Sequence, residues 1–389
     1  MPAGRIRKIS WPEVRPRPWL ILWHRWFGVL GALWLAVLGL TGSAIVYYDE
    51  LDALLNTDLR RVQVQGEHVS AQSWVQAAQD AYPERFVRFV DLPQTDRSSV
   101  LMTLPLRPYA AGEGGDIDVF VNPYTGQVLG SRTHEDGLGR RHLMNFVYGL
   151  HMDLHLGGAM VWFLGLVSLL WVIDHVVAAI LSFPSLKKWT ASFRVRFRGG
   201  GYKRTFDLHR AGGLWLMPIT LILAVSGLYF NWYDGFVRTV DAISPTTPRA
   251  IFTVPALETP IHDPQVSFGQ AMDVVNSVGD QSRIDLMAYN PAKGVYELRL
   301  YDPRDIDTYG RRLMVVDGRG GHLISDRHVT EGGAGDVFLA WQYPLHSGKA
   351  FGAFGRAVIF VSGLVLTCIC VTGLLIWWRK RKARVRAPI

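Results

Sequence analysis

Four stretches of this 389-residue chain contain no Asp, Glu, Lys or Arg, and nothing else in the sequence constrains its fold as strongly. Each is about 20 residues or longer, enough for an α-helix to cross a hydrocarbon core roughly 30 Å thick. We therefore predict a membrane protein with a bundle of four transmembrane helices. The first stretch is too long for a secretory signal peptide, and no small-residue cleavage site follows it. The stretches are Trp26–Tyr48, Leu154–Ile173, Ala211–Tyr233 and Ala357–Trp378.

Basic residues outside the four stretches predict the orientation. The N-terminal tail, the loop between the second and third spans and the C-terminal run RKRKARVR are rich in Lys and Arg and almost free of acids. Such segments stay on the cytoplasmic side of a membrane. Both termini should therefore be cytoplasmic, and the two long connections external, which is periplasmic for a bacterial inner membrane. The net charge of +8 then indicates topology rather than nucleic-acid binding.

Each external connection is predicted to be a small α+β domain. An amphipathic helix candidate (VSAQSWVQAAQDAY in the first, VSFGQAMDVVNSV in the second) precedes strand-like runs. Each domain ends in a hairpin whose turn is Asn-Pro-x-x-Gly or Asp-Gly-x-x-Gly. The predicted order is cytoplasmic tail 1–18, span one 19–48, external domain 49–140, span two 141–183, cytoplasmic loop 184–205, span three 206–234, external domain 235–345, span four 346–379 and cytoplasmic tail 380–389.

The sequence pattern predicts an internal duplication. The run HRWFGVLGALWLAVLGLTG from His24 overlays HRAGGLWLMPITLILAVSG from His209 without a gap, with Thr41 falling on Ser226. Span four ends in the same Thr-Gly pair that ends span one. Span two carries Asp174-His175 at the equivalent place, so the repeat fails there.

Histidines at the membrane boundaries fall into two predicted layers of three. From His155 to His175 is 20 residues of helix, about 30 Å, so the layers lie a full hydrocarbon core apart. A single interfacial histidine is commonly an anchor, but ionisable groups inside membranes are expensive and tend to be functional. The cytoplasmic layer holds His24, His175 and His209, and the external layer holds His151, His155 and His346.

Such histidines can ligate a metal ion, ligate a haem or relay protons. A zinc or copper site wants three or four converging ligands, and the two cysteines, Cys368 and Cys370, both lie inside span four. One histidine from each of two helices is the ligand set of a six-coordinate b-type haem, whose apolar ring suits a bundle interior. The absence of a C-x-x-C-H motif excludes covalent c-type attachment. We therefore expect haem b, with two haems in the chain.

On the external side we expect His346 to share a haem with a histidine of span two. His155 is the preferred partner and His151 its rival, since the two would lie four residues apart on one helical face. Arg356, close to the start of span four, would hold a haem propionate.

On the cytoplasmic side the repeat favours His24 with His209 as the ligand pair. His175 is a rival for either position, because span two departs from the repeat there. Arg25 and Arg210, directly beside the two ligands, would hold propionates in the same way.

Several motifs together resemble the PepSY-associated transmembrane family: HRWFG…LTG, LHMDLHLGG, LHRAGGLW…SG, LHSGKAFGAFGR…TGLLIWW and NPYTGQVLG. Within it, the chain is most similar to inner-membrane siderophore-iron reductases of the ferrioxamine reductase type. The resemblance covers nearly the whole chain. It implies PepSY-like external domains and b haems that pass electrons outward to ferric iron held by a siderophore.

The expected function is therefore that of a ferric-siderophore reductase in the bacterial inner membrane, in contact with lipid and not with nucleic acid. The electron donor must be a quinol or a separate cytosolic reductase, because no G-x-G-x-x-G follows a strand and the cytoplasmic segments are too short for a flavin domain. Two alternatives from other classes remain: a siderophore- or peptide-binding transport accessory, and a signalling membrane protein without redox activity.

Overall fold

The computed structural model describes residues 16–107, 115–134, 137–183, 185–198, 200–278 and 282–386. Within these residues four helices are long and apolar enough to cross a membrane, so the predicted spans are confirmed. Most of the basic N-terminal tail lies outside the described residues. The four spanning helices are α1 (Arg17–Ile45), α6 (Gly158–Ser182), α7 (Gly201–Asn231) and α12 (Gly352–Arg386).

Shorter helices connect the spans to each other and to the sheet. They are α2 (Tyr48–Leu55), α3 (Thr57–Arg60), α4 (Ala71–Ala81), α5 (Leu143–Met152), α8 (Tyr233–Ile243), α9 (Ala250–Thr253), α10 (Phe268–Val278) and α11 (Ala334–Ser347). Two 3₁₀ segments, Leu186–Phe193 and Lys349–Phe351, precede α7 and α12.

The spans form a bundle in which α1 and α7 face each other diagonally. Each of these two helices packs against both α6 and α12. The approach of α1 to α12 is set by glycine, because a Cβ on Gly39 would lie 2.7 Å from the carbonyl oxygen of Gly363. Ser43 adds a hydrogen bond from its Oγ to the carbonyl oxygen of Phe360, at 2.7 Å. Small residues of this kind let membrane helices pack closely.

Span two does not begin as one continuous helix, and the prediction that His151 and His155 share a helical face is wrong. The chain turns between α5 and α6, where Leu154 and His155 have φ values of 55° and 56°. The Asp153 carboxylate accepts the backbone N–H of His155 at 3.0 Å, and Gly157 follows at φ 71°. The turn separates the two histidines, and only His151 remains on a helix.

Span four is preceded by a similar turn. His346 lies near the end of α11, and the chain then passes Gly348 (φ 75°) and Gly352 (φ 56°) before α12 begins. Left-handed backbone of this kind favours glycine because other residues clash there. His151 and His346 therefore hold matching places, each the next-to-last residue of a short helix that leads into a span.

Eight strands within the described residues form one antiparallel sheet, in the order β4-β3-β2-β1-β5-β6-β7-β8. The sequence led us to expect two separate external units. The structure instead joins them, since β1 pairs with β5 and Val90 lies opposite Met287. The strands are β1 (Phe89–Asp91), β2 (Val100–Leu104), β3 (Ile117–Val121), β4 (Val128–Thr133), β5 (Ile284–Asn290), β6 (Val295–Leu300), β7 (Arg312–Asp317) and β8 (Leu323–His328).

The two predicted hairpins are confirmed as β3–β4 and β7–β8. Their turns place Gly126 and Gly321 at φ 72° and 70°. Helices α4 and α10 cover one face of the sheet and share its apolar core, in which Trp74, Phe268 and Tyr296 are buried. Alternating side chains thus go to the core or to the opposite, more polar face.

The polar face of the sheet is tied to the bundle by a buried ion network. Arg132 donates to Asp118 at 3.0 Å and to Asp52 at 2.7 Å, and Asp52 lies on α2, directly after α1. We call the end of the bundle where α1 meets α2 the sheet end. The opposite end, where α1 begins and α12 finishes, is the terminus end.

Candidate functional site: two histidine pairs

His24 and His209 lie together at the terminus end and form what we call the terminus pair. Their ring centroids are 6.1 Å apart and their planes are inclined by 52°. The two residues come from α1 and α7, the diagonal helices of the bundle. The structure therefore brings together the two histidines that the repeat overlays.

His151 and His346 lie together at the sheet end and form the sheet pair. Their ring centroids are also 6.1 Å apart, with an interplanar angle of 70°. Helix α5, which carries His151, packs against α1, and α11, which carries His346, packs against α7. The ring of Phe230 meets His346 edge-on at 5.2 Å and closes one side of the pair.

The two pairs are linked by the same two helices. Thr41 follows His24 on α1 by seventeen positions, and Ser226 follows His209 on α7 by the same number. Seventeen residues of α-helix span about 25 Å. Because Thr41 and Ser226 contact the sheet pair, each diagonal helix holds a histidine of one pair and a hydroxyl partner of the other.

In the sheet pair, each Nδ1 atom meets a hydroxyl group. His151 Nδ1 is 3.1 Å from Thr41 Oγ1, and His346 Nδ1 is 2.7 Å from Ser226 Oγ. Each hydroxyl already donates its proton to the carbonyl four residues earlier in its own helix. The hydroxyl oxygen must then accept from the histidine, so Nδ1 carries the proton and Nε2 carries the lone pair.

In the terminus pair, the Nδ1 partners are stronger acceptors. His24 Nδ1 lies 3.0 Å from both carboxylate oxygens of Asp174. His209 Nδ1 lies 3.0 Å from the carbonyl oxygen of Ile369 and 3.3 Å from Thr372 Oγ1. Carboxylate and carbonyl oxygens cannot donate, so Nδ1 is again the donor. Within the described part of the chain, none of the four Nε2 atoms in the two pairs has a hydrogen-bond partner.

Two glycines support the rings from behind. A Cβ on Gly42 would lie 2.9 Å from Cε1 of His151, and a Cβ on Gly373 would lie 2.9 Å from Cε1 of His209. Any side chain at these positions would push the imidazole away from its partner. The Thr-Gly ending shared by spans one and four therefore has a structural reason: the threonine contacts Nδ1 of a histidine and the glycine makes room for its ring.

Beside the terminus pair, the residues present fit a flat anionic ring. Gly28 and Gly213 follow the two histidines by one helical turn, and a Cβ on either would meet nothing within 4 Å. Arg25 and Arg210 follow the histidines directly, and the Nε atom of each is buried with no partner among the described residues. Buried guanidinium nitrogens are costly unless they meet an acceptor such as a carboxylate.

At the sheet end the predicted propionate arginine is already engaged. Arg356 donates to the carbonyl oxygen of Val46 at 2.8 Å and to Glu50 at 2.7 Å, and its guanidinium lies over the Tyr47 ring. The hydrogen bond to Glu50 also lowers the pKa of that carboxyl group. Arg356 therefore differs from Arg25, which has no hydrogen bond or ion pair within the described residues.

Two predicted candidates lie outside both pairs. His175 is hydrogen-bonded on both nitrogens, with Nδ1 2.7 Å from the Trp171 carbonyl and Nε2 2.9 Å from Thr220 Oγ1. His155 uses its Nε2 on the carbonyl oxygen of Phe146 at 2.8 Å and stacks on that ring. The preference for His155 as the partner of His346 is therefore corrected to His151, because the turn after α5 carries His155 away.

The spacing of each pair matches one shared ion. Two imidazoles bound trans to one metal at about 2 Å per bond hold their nitrogens about 4 Å apart and their ring centroids about 6 Å apart. Among the described residues, no group of three or more His, Cys, Asp or Glu side chains could hold a metal ion. Each pair offers two imidazole nitrogens, which is the protein ligand set that a macrocycle-bound ion would need.

Sequence reasoning missed the Nδ1 partners of the histidines. Asp174 was noted only as a place where the repeat fails, yet it is the partner of His24 across 150 residues of chain. The available signal was the overlay itself, in which Asp174 falls on Thr372. A metal-bound histidine almost always donates its second ring nitrogen to an acceptor, so such residues are part of the site.

The fold and the histidine pairs define a four-helix membrane protein with an antiparallel sheet at one end. The family described as PepSY-associated TM region matches residues 21–380, nearly the whole chain. The chain therefore belongs to this family, and the family resemblance inferred from its motifs is confirmed. A search of curated proteins finds no match.

Proposed function

We propose that this protein carries electrons through two b-type haems, one at each histidine pair, and reduces ferric siderophore iron at the sheet end. One observation carries the proposal: two histidine pairs with equal 6.1 Å ring separations, each with its Nδ1 atoms tied to acceptors. With their Nδ1 atoms engaged, the two imidazoles of each pair keep their Nε2 atoms available as ligands for one cation. Haem would supply that cation and a reversible one-electron couple.

The chain's residues would hold such a group in distinct ways. His24 and His209 would ligate at the terminus end, with Arg25 and Arg210 placed for propionates. His151 and His346 would ligate at the sheet end. The Nδ1 acceptors fix the tautomer and the orientation of each ring, as partners of metal-bound histidines do.

Charge distribution supports an orientation with the terminus end in the cytoplasm. The last turns of α12 carry the run from Arg379 to Arg386, and the segment before α7 carries Arg194, Arg196 and Arg198. Basic residues close to span ends remain on the cytoplasmic side. Electrons from a quinol or a cytosolic reductase would then enter at the terminus end, and the sheet would lie in the periplasm.

With two histidines holding each haem, the acceptor would be reduced without binding to haem iron. A siderophore holds Fe(III) through hard oxygen ligands. One electron from the sheet end would convert it to Fe(II), which is less charged and softer and binds such ligands less strongly. Reduction would therefore release the iron.

Anaerobic mixing tests the proposal. Protein reduced with dithionite and freed of excess reductant is mixed with a ferric trihydroxamate chelate in the presence of an Fe(II)-specific chelator. We expect haem reoxidation with one Fe(II) trapped per electron lost, and no reaction with the redox-inert gallium(III) chelate of the same ligand. Haem-loaded protein that stays reduced in the ferric chelate would contradict the assigned acceptor.

A binding accessory is the second candidate, and one observation favours it. A cavity of about 660 Å³ lies between α4 and α10, lined by Gln72, Trp74 and Gln94 from the first half of the sheet unit and by Asp273 and Arg283 from the second. Calorimetry with the gallium chelate distinguishes the roles. Saturable binding to a colourless, haem-free wild-type protein would favour the accessory.

A further inference from the structure

The four spans each place one polar residue against Nδ1 of a paired histidine. Three of these residues carry a hydroxyl: Thr41, Ser226 and Thr372. The fourth, Asp174 on α6, carries a carboxylate. The positions correspond in the sequence overlay, so the single exchange of hydroxyl for carboxylate is a difference between the two ends of the bundle.

Asp174 is buried, and among the described residues its one hydrogen-bond partner is the imidazole of His24. Its side chain is 8% exposed, and both oxygens lie 3.0 Å from His24 Nδ1. Within the described residues no Lys or Arg pairs with it. Other buried carboxylates near the bundle ends do have arginine partners: Asp207 pairs with Arg196, and Asp52 with Arg132. An unneutralised carboxylate inside a span is expensive and tends to be functional.

We propose that Asp174 is a positioning residue that gives the terminus pair a lower reduction potential than the sheet pair, and so directs electrons toward the sheet end. The inference rests on the proposed function above. It concerns the direction of electron flow, which the histidine pairs alone leave symmetric.

The direction in which Asp174 shifts the reduction potential follows from its charge. A carboxylate that accepts the Nδ1 proton makes the imidazole a more basic ligand and adds negative charge close to the metal. Both effects stabilise the more positive ferric state over the ferrous state, which lowers the potential. The neutral hydroxyls of Thr41 and Ser226 lower the reduction potential of the sheet pair less. Transfer of one electron would oxidise a ferrous iron held at the terminus end to ferric and reduce a ferric iron held at the sheet end to ferrous.

Spectroelectrochemical titration of the full-length, haem-loaded protein tests the inference. Wild type should show two one-electron waves. Asp174→Asn keeps the size of the side chain and a hydrogen-bond acceptor but removes the charge, so the lower midpoint potential should rise while the higher one stays. Thr372→Val is the matched control, because it removes a polar contact from the same pair without changing charge and should shift the potential less.

Variants that keep only one histidine pair show which redox wave belongs to which pair. His346→Ala retains only the terminus pair, and the Asp174→Asn shift should appear in full on that background. A shift of the sheet-end wave, or unchanged potentials in haem-loaded Asp174→Asn, would overturn the inference.

Two further variants keep the test decisive if Asp174→Asn loses haem. Asp174→Thr installs the residue found at Thr372 and should also raise the lower potential. Thr41→Asp is the reciprocal change and should lower the sheet-end potential, and an unmoved sheet-end wave would count against the inference. A haem-free wild-type protein would instead overturn the proposed function itself, so the two failures are distinguishable.

Discussion

The terminus pair and the sheet pair have the same ring separation, 6.1 Å, but different supports. The terminus histidines lie inside the long diagonal helices α1 and α7. The sheet histidines lie at the ends of short helices, held by the glycine-containing turns that precede α6 and α12. Two unlike scaffolds therefore bring their histidine rings to the same separation.

The surroundings of the two pairs differ in charge. The terminus pair has the Asp174 carboxylate and Arg25, whose buried Nε has no partner among the described residues, while Arg210 is ion-paired with Asp207 at 3.1 Å. The sheet pair has two hydroxyls and an arginine, Arg356, already bound by Glu50. Under the proposed function, equal spacing with unequal charge would give the two haems different reduction potentials.

The largest expected effect is loss of one whole haem. His24→Ala should empty the terminus pair and His346→Ala the sheet pair, because each would remove a proposed haem ligand. Among the described residues, His155 and His175 are hydrogen-bonded elsewhere. We expect the haem content to fall from two to one per chain, measured by the pyridine haemochrome assay. His175→Ala and His155→Ala are the controls and should keep both haems. A haem lost in His155→Ala but retained in His151→Ala would break the proposed pairing.

Removing an Nδ1 partner at the sheet end should weaken one site without emptying it. Thr41→Val and Ser226→Ala each leave a ligand histidine without its acceptor, and loss of such partners costs about 10- to 100-fold in metal affinity. Haem transfer to excess apomyoglobin measures the effect. Only the sheet-end haem should be lost faster, and equal loss from both ends would indicate a general defect in folding.

The next largest effect on haem retention is expected from substitution of the arginines beside the two pairs. Arg25→Gln should weaken haem retention at the terminus end about tenfold, the value of one charge-assisted hydrogen bond. Arg356→Gln should have a smaller effect on the sheet end, since Glu50 and the Val46 carbonyl already occupy that guanidinium. The same transfer assay compares the two, and a larger effect from Arg356→Gln would reverse this assignment.

The smallest effect on the pairs is expected from a change in the sheet. Burial, together with the nearby carboxylate of Asp285, raises the pKa of Asp91 to about 7. The folded state then keeps a proton that the unfolded state releases, so stability is full below about pH 4 and falls as the pH rises through 7. The penalty is at most about 4 kcal/mol for a shift of three pKa units.

Asp91→Asn should therefore raise the thermal unfolding midpoint at pH 8, and by much less at pH 4. Haem content and both potentials should stay as in wild type, because Asp91 lies on the sheet and contacts neither pair. Equal stabilisation at both pH values would show that the charge of Asp91 is not the cause.

Those features that depend on local composition were predictable from the sequence. The four spans follow from uncharged runs long enough for the hydrocarbon core, and the hairpins from Asn-Pro-x-x-Gly and Asp-Gly-x-x-Gly. The approach of His24 to His209 was predicted because a gapless repeat places them on equivalent helices.

Features that depend on three-dimensional contacts were missed. The left-handed backbone at Leu154 and His155 interrupts a run that looks helical, and only the following Gly157-Gly158 hinted at it. Alternating strand patterns show which side chains face a core but not which strand is the neighbour. The β1–β5 pairing therefore could not be predicted from the sequence. The role of Asp174 required a contact between two spans.

The most direct test of the central claim, that each histidine pair holds one b-type haem, is the haem content and spectrum of purified wild-type protein from haem-replete cells. We predict two haems b per chain, a sharp reduced α-band at a b-type position and the low-spin ferric signal of bis-histidine ligation. A folded protein that purifies colourless, or one whose haem survives in a His24→Ala, His346→Ala double variant, would contradict the claim.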